Sequence, residues 1–353
     1  MDIKEVLMAL TDSCGVSGQE YNLHDMIISI FKDYVDSTEI DSLGNIIFCK
    51  KGTNDEDFKI MLSAHMDEIG LMVTKIENNG FLRFTEVGGI DPRTVVGQEV
   101  FVHGSKVIPG IIGTKPPHMI EKEEEEKSLK LEDMIIDTGY SKESLIKYVH
   151  IGDFISIKRE SMLLMNDRIA GKSLDDRVGV AVLYDLAKRL NSFNHYPDVY
   201  MVCTVQEEVT MSGAITSAYS INPDIGIAID VGFGHTPELK KTDTLTLGKG
   251  PGITLGGNVD SNLRKQLIDV AKEYNIPYQH SVEPGPTGTD GCAIQITKEG
   301  IPTLVISVPL RYMHTSVELV DLKDIRFTSI LLANFIQNAK KNNYSFMEEK
   351  LCY

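Results

Sequence analysis

The 353-residue chain has few cysteines, no long hydrophobic run and no excess of basic charge. Its five cysteines, Cys14, Cys49, Cys203, Cys292 and Cys352, are odd in number, scattered, and never spaced as a CxxC pair. That argues against a disulfide framework or a thiolate zinc site and for a reducing compartment. No stretch approaches the roughly 20 apolar residues of a membrane span, and the opening MDIKEVLMALTDSC lacks the basic segment and apolar core of a signal peptide. The expected location is the cytoplasm. Against 35 Lys and Arg stand 51 Asp and Glu, a net charge of -16. Such a chain repels nucleic acid and anionic membranes unless it carries a basic patch, and none is visible. The same acidic excess can gather metal cations.

What remains is an ordinary globular composition, 42% hydrophobic and 24% charged with 29 Gly and 13 Pro. Apolar residues at helical spacing (Ile3, Val6, Leu7, Leu10, then Leu23, Met26, Ile27, Ile30, Phe31, Tyr34) predict two opening amphipathic helices. Strand-like segments follow at residues 46–48 and 59–63. From about residue 71 to 158 the texture changes to short β-rich runs broken by Gly, Pro and Asn, the rhythm of a small β-barrel or sandwich, with a helix expected over 141–148. The EKEEEEK run at residues 121–127 reads as a solvated loop. Beyond residue 166 helices and strands alternate. Helices are expected over 176–190, after Met211, over 261–274 and over 322–340, and strands over 199–205, 225–229 and 303–308. Alternation of this kind indicates an α/β sheet covered on both faces. The β-rich piece (70–159) is therefore read as an insertion into one discontinuous α/β domain, residues 1–69 and 160–353.

In open α/β sheets, functional groups collect at the carboxyl ends of strands. Here KIMLSA runs into His65 and Asp67, VYMVCTV into Glu207 and Glu208, IGIAI into Asp230, and TLVISVP is soon followed by His314, while Asp175-Asp176 precede a helix. Each alone is ordinarily a cap, a turn or a satisfied histidine. Arriving by different strands at one edge, they point together to a metal centre. Imidazole and carboxylate without thiolate suit zinc, cobalt or manganese, with ligands enough for two ions sharing a carboxylate. Asp67 is placed to accept the second ring N–H of His65.

At these residues the sequence resembles the M42 family of metallopeptidases, cytoplasmic dinuclear aminopeptidases that include tetrahedral TET assemblies. The likeness runs through SAHMDEIGLMV (63–73), GGIDPRTVVGQEV (88–100), KPPHM (115–119), SLDDRVGVAVL (173–183), TVQEEVTMSGA (204–214), AIDVG (228–232), GTDGCAIQ (288–295) and RYMHTSVELVDLKDI (311–325). It implies a zinc-peptidase-like mixed sheet sandwiched by helices, with an inserted barrel used in assembly. It implies that His65, Asp175 and Asp230 hold one ion and Asp175, Glu208 and His314 the other, with Glu207 as general base and Asp67 orienting the first histidine. Two segments depart from the family's usual pattern: the glycine-rich Gly232-Phe233-Gly234-His235, and Gly291 where Ala or Ser is more common. Both approach the substrate pocket in relatives, so they bear on specificity.

The expected activity is removal of N-terminal residues from peptides by a homo-oligomer, between dimer and dodecamer, carrying two divalent ions, with zinc or cobalt favoured over manganese. The alternatives are a metal-dependent deacylase or amidohydrolase of the same fold, and a silent metal-stabilised assembly protein. A glycosidase fits poorly, because its two carboxylates would have to flank a sugar bond about 5 to 9.5 Å apart, whereas Glu207 and Glu208 are adjacent.

Overall fold

Side chains along the almost wholly buried strand Asp198–Thr204 alternate between two cores: Val199, Met201 and Cys203 belong to one buried cluster, and Val202 to another against which Tyr200 packs. This period-2 pattern is that of a strand with helices on both faces. The structure is a computed structural model that describes residues 1–54, 57–119 and 128–340; the acidic run at 121–127 lies outside the described residues.

The main sheet has eight strands, in spatial order Ser37–Ile40, Ile46–Lys50, Asp198–Thr204, Lys59–His65, Ile225–Phe233, Thr303–Leu310, Gly252–Gly256 and Gln279–Glu283. The four central strands, Asp198–Thr204 to Thr303–Leu310, are mutually parallel, so their carboxyl ends share one edge. Antiparallel pairings outside them make the sheet mixed. One face is covered by the helices Ile3–Asp12, Leu174–Leu190 and Leu322–Asn338, the other by Ser212–Ile221 and Asp290–Gln295. The expected fold class is what the chain adopts.

The β-rich stretch closes into a six-stranded barrel, with Gly70–Ile76, Leu82–Val87, Ile135–Asp137, Val107–Gly113, Glu99–His103 and Phe154–Ile157 in that order around it. Strand Val107–Gly113 alternates exposed and buried positions, its Ile108 and Ile112 packing with Val100, Val102, Ile136 and Ile155. The helix expected over 141–148 is one turn, Lys142–Leu145. Residues 146–148 continue it as a turn in which the Tyr148 and Val149 N–H groups both reach the Leu145 carbonyl, and the Tyr148 carbonyl accepts the Ser105 N–H at 2.8 Å. A small sheet of Met162–Leu164, Arg168–Gly171 and Glu318–Asp321 was not expected; it ties the barrel's exit to the segment after His314. Among the described residues no helix is long and apolar enough to cross a membrane.

Candidate metal centre

Every sequence-selected residue reaches the same edge of the sheet. His65 is the last residue of Lys59–His65, and Asp230 lies within Ile225–Phe233. His314 follows Thr303–Leu310 with φ 59°, and Asp175 opens the helix Leu174–Leu190, its own backbone non-helical and its peptide bond to Asp176 cis. Glu207 and Glu208 do not end a strand as expected. They form the first turn of a four-residue helix, Glu207–Thr210. Successive helical residues are about 100° apart, so the two side chains still diverge.

The residues meet as two overlapping triads. One ligand atom from each of His65, Asp175 and Asp230 lies within 4.8 Å of the others, and the same holds for Asp175, Glu208 and His314. His65 Nε2 is 3.1 Å from Asp175 Oδ1, while His314 Nε2 is 3.4 Å from Asp175 Oδ2 and 3.4 Å from Glu208 Oε2. With metal–ligand bonds of about 2.0 to 2.1 Å and tetrahedral angles, donor atoms sit roughly 3.3 Å apart. The observed spacings suit a cation between the donors, and Asp175 offers a different oxygen to each histidine.

Electrostatics point the same way. Asp175, Glu207 and Asp230 are under 9% exposed, and Glu208 and His314 are half-buried. Burial, aided by the Asp230, Asp290 and Glu208 carboxylates against the opposing pull of His65, pushes Glu207 up to about 10. Burial and neighbouring Asp175 push Glu208 up to about 7 and Asp230 well above the usual range. Hydrogen bonding to Asp175 raises His314 to about 9. In Asp175 burial works upward, yet His314 and His65 hold its carboxyl below the ordinary value. Carboxylates crowded in this way with only histidines as counter-groups cost less when divalent cations balance them. Among the described residues Glu207 Oε1 is buried with no hydrogen-bond partner. The residues present therefore fit a dinuclear metal site.

The segment bearing Glu207 and Glu208 is pinned through its backbone. Four consecutive N–H groups donate to buried side chains: Val205 to Asn45 Oδ1 (3.0 Å), Gln206 to Glu20 Oε1 (3.0 Å), Glu207 to Asp67 Oδ1 (3.1 Å) and Glu208 to Asp67 Oδ2 (3.2 Å). Asp67 thus does something beyond what was expected of it. Its carboxylate also lies at ion-pair distance from His65 Nδ1, 3.6 Å, while its backbone carbonyl makes the shorter contact to that ring nitrogen at 3.2 Å. Burial works to raise the Asp67 carboxyl, but His65 and the Glu207 N–H outweigh it and keep it low.

Glu318 is the residue that sequence reasoning missed. It is 2% exposed, accepts the His314 N–H at Oε1 (2.8 Å) and the Asp175 N–H at Oε2 (3.1 Å), and so ties together two segments that bear metal-ligand candidates. It lies inside the RYMHTSVELVDLKDI motif, yet a carboxylate acting through backbone N–H groups leaves no spacing signature.

A cavity of about 590 Å³ opens over the cluster, lined by Gly232 and Phe233 among others. Gly291 does not line it. A Cβ there would sit 2.5 Å from Val305 Cγ2, so this glycine lets the helix Asp290–Gln295 press onto the sheet.

A family model described as M42 glutamyl aminopeptidase matches residues 44–331. The chain is 36% identical over 346 residues to the lysyl aminopeptidase of Pyrococcus furiosus, an alignment covering 97% of this chain and 99% of that protein. Among solved structures, an aminopeptidase from the archaeon Desulfurococcus kamchatkensis superposes with TM-score 0.91 at 38% identity, covering 99% of each chain. The TET1 peptidase of Pyrococcus horikoshii, which can assemble into a tetrahedron or a large octahedral shell, does so with TM-score 0.84 at 32% identity, covering 96% of this chain and 100% of that one. A model spanning most of the sequence, with relatives alike from end to end, means that the chain belongs to the M42 glutamyl aminopeptidase family.

Proposed function

We propose that the protein is a dinuclear metal-dependent aminopeptidase that removes the first residue from peptides with a free N-terminus. Its membership of the M42 peptidases supplies the reaction class. The observation that carries the dinuclear reading is the division of Asp175 between His65 at Oδ1 and His314 at Oδ2. In this reading His65, Asp175 and Asp230 hold one ion and Asp175, Glu208 and His314 the other, with zinc or cobalt favoured and manganese compatible with the same donors.

Bound there, two divalent cations would acidify an attacking water and polarise the scissile carbonyl. Glu207 takes a proton from that water as its oxygen bonds to the carbonyl carbon, then delivers it to the amine nitrogen as the C–N bond breaks. Its unpartnered Oε1 suits this role. Asp67 keeps Glu207 and Glu208 in register by accepting both their N–H groups. A metal centre that only stabilises an assembly needs no such spare carboxylate, which favours turnover over the silent reading.

We assign residues 1–69 and 160–353 to the catalytic unit and 70–159 to an inserted unit for assembly and substrate access. The shells formed by the Pyrococcus horikoshii TET1 peptidase support a homo-oligomer here, between dimer and dodecamer. Unpaired Cys14, Cys49, Cys203 and Cys292 suit the cytoplasm. The family's name and that of the Pyrococcus furiosus relative point to N-terminal residues of opposite charge, glutamyl and lysyl, so the preferred residue has to be sought in this chain's own pocket.

Metal content and turnover of two variants test the reading together. Glu207→Gln is expected to keep two ions per subunit and lose about 10² to 10⁴ in rate, whereas Asp175→Ala is expected to lose both ions and activity. Near wild-type hydrolysis by Glu207→Gln would remove the base assignment, and full metal loading of Asp175→Ala would remove the shared ligand.

A further inference from the structure

The cavity floor crosses four neighbouring strands away from the metal-ligand candidates. Asp230, Ser307, Thr254 and Glu283 line it, one each on Ile225–Phe233, Thr303–Leu310, Gly252–Gly256 and Gln279–Glu283, which are adjacent in that order. Three strand spacings separate the strands of Asp230 and Glu283 by about 14 Å, and because the register sets Asp230 level with Ser307, Gly252 and Gln279, Glu283 lies four residues further along its strand, roughly 19 Å from Asp230 backbone to backbone. The two acidic side chains each cover part of that span, and the remainder suits an extended lysine or arginine side chain.

The charge balance singles out Glu283. Asp175, Glu207, Glu208 and Asp230 are matched in charge by two divalent ions, and the histidines ligate as neutral rings. Glu283 is the remaining acidic residue of the lining, which contains no Lys or Arg. Its carboxylate accepts only a 3.4 Å hydrogen bond from Ser281 Oγ and forms no ion pair among the described residues. A second, independent feature lies on the next strand. Thr254 is 1% exposed, lines the same cavity, and its Oγ1 has no hydrogen-bond partner among the described residues. A buried hydroxyl left unpaired is costly, and an ammonium or guanidinium group brings donors but no acceptors.

We propose that Glu283 and Thr254 form the subsite for the side chain of the substrate's N-terminal residue, and that the residue it selects is cationic, lysine or arginine. The inference rests on the aminopeptidase reading above. Glu283 offers the counter-charge, Thr254 Oγ1 a buried acceptor, and an N-terminal Glu or Asp meets like charge.

The test compares kcat/KM for Lys-, Arg-, Leu- and Glu-coumarylamides with metal-loaded wild type, Glu283→Gln, Glu283→Lys and Thr254→Val. Wild type is expected to prefer Lys and Arg, with Glu the poorest. In Glu283→Gln the ratio of Lys to Leu is expected to fall about tenfold, the scale of one charge-assisted hydrogen bond. Thr254→Val is expected to lower that ratio less, and Glu283→Lys to raise the ratio of Glu to Lys. Hydrolysis of Leu without preference for Lys or Arg, or a Lys to Leu ratio indifferent to both Glu283 variants, overturns the subsite and leaves the aminopeptidase reading standing. Silence of wild type on all four amides overturns both.

Discussion

Replacing Glu318 by Gln separates the positioning of the ligands from the ligands themselves. Both carboxylate oxygens are engaged, one by the His314 N–H at 2.8 Å and one by the Asp175 N–H at 3.1 Å, in a site where Glu318 is 2% exposed. A glutamine keeps the volume and one acceptor, but its NH₂ faces the second N–H. One hydrogen bond is lost and a buried N–H is left facing an NH₂, worth about 1 to 3 kcal/mol; burial and the Asp175 carboxylate hold the Glu318 carboxyl well above its ordinary value, so the bond gains no charge assistance. Expressed at the ions, that is roughly a 10- to 100-fold loss of affinity. The loss is expected to fall mainly on the ion held by Asp175, Glu208 and His314, because Glu318 holds two of those three residues and, of the other triad, only the shared Asp175. Calorimetric titration of metal-free protein with zinc, alongside the visible spectrum of the cobalt form, would resolve the two binding steps, and thermal melting would monitor the fold. Two steps of wild-type affinity in Glu318→Gln, or equal weakening of both, would refute this role for Glu318.

The pH dependence of metal uptake has a defined sign. Metal-free His314 is raised to about 9 by Asp175 and Glu208 to about 7 by burial, whereas ligation needs neutral imidazole and ionised carboxylate. Zinc affinity of the site containing both is expected to rise with pH, about tenfold per pH unit for each proton displaced, and to level off above pH 9 or so. Calorimetry in buffers of different ionisation enthalpy counts the released protons; absence of release at pH 7 would contradict the assignment. Gly291→Ala is expected to destabilise this chain by about 1 to 3 kcal/mol. Its Cβ would meet Val305 Cγ2 at 2.5 Å, and an unchanged urea midpoint would show that Val305 simply moves aside.

Much of the fold can be read from the chain because its signals are periodic. Helical spacing marked Ile3–Asp12 and Leu322–Asn338, and dense apolar runs marked the four central strands. The outer strands Gly252–Gly256 and Gln279–Glu283 escaped notice. The second alternates half-buried and exposed residues without an apolar stripe, its half-buried face being polar: Gln279 donates to the Thr246 and Gly250 carbonyls and Glu283 lines the cavity. The Met162–Leu164 strand was missed for a related reason: all three residues are exposed, so no buried face records its pairing. At the site, the side chains that converge are legible as polar residues just beyond apolar strands or, for Asp175, at the start of a helix. What stayed hidden was the support beneath them. Asn45, Glu20, Asp67 and Glu318 act by accepting backbone N–H groups from distant segments, and a backbone donor carries no residue-type signature. The nearness of Asp67 to His65 in sequence points to the histidine alone, whereas its carboxylate also holds the Glu207 and Glu208 turn.

The most direct measurement of the central claim is hydrolysis of paired peptide amides, one with a free N-terminus and its partner N-acetylated, by protein stripped of metal and reloaded with zinc or cobalt. The expected result is cleavage of the free-amine set alone, absent without metal and abolished in Glu207→Gln. Cleavage of the acetylated set, or turnover that survives both metal removal and loss of Glu207, would contradict a dinuclear aminopeptidase built on Asp175 and served by Glu207.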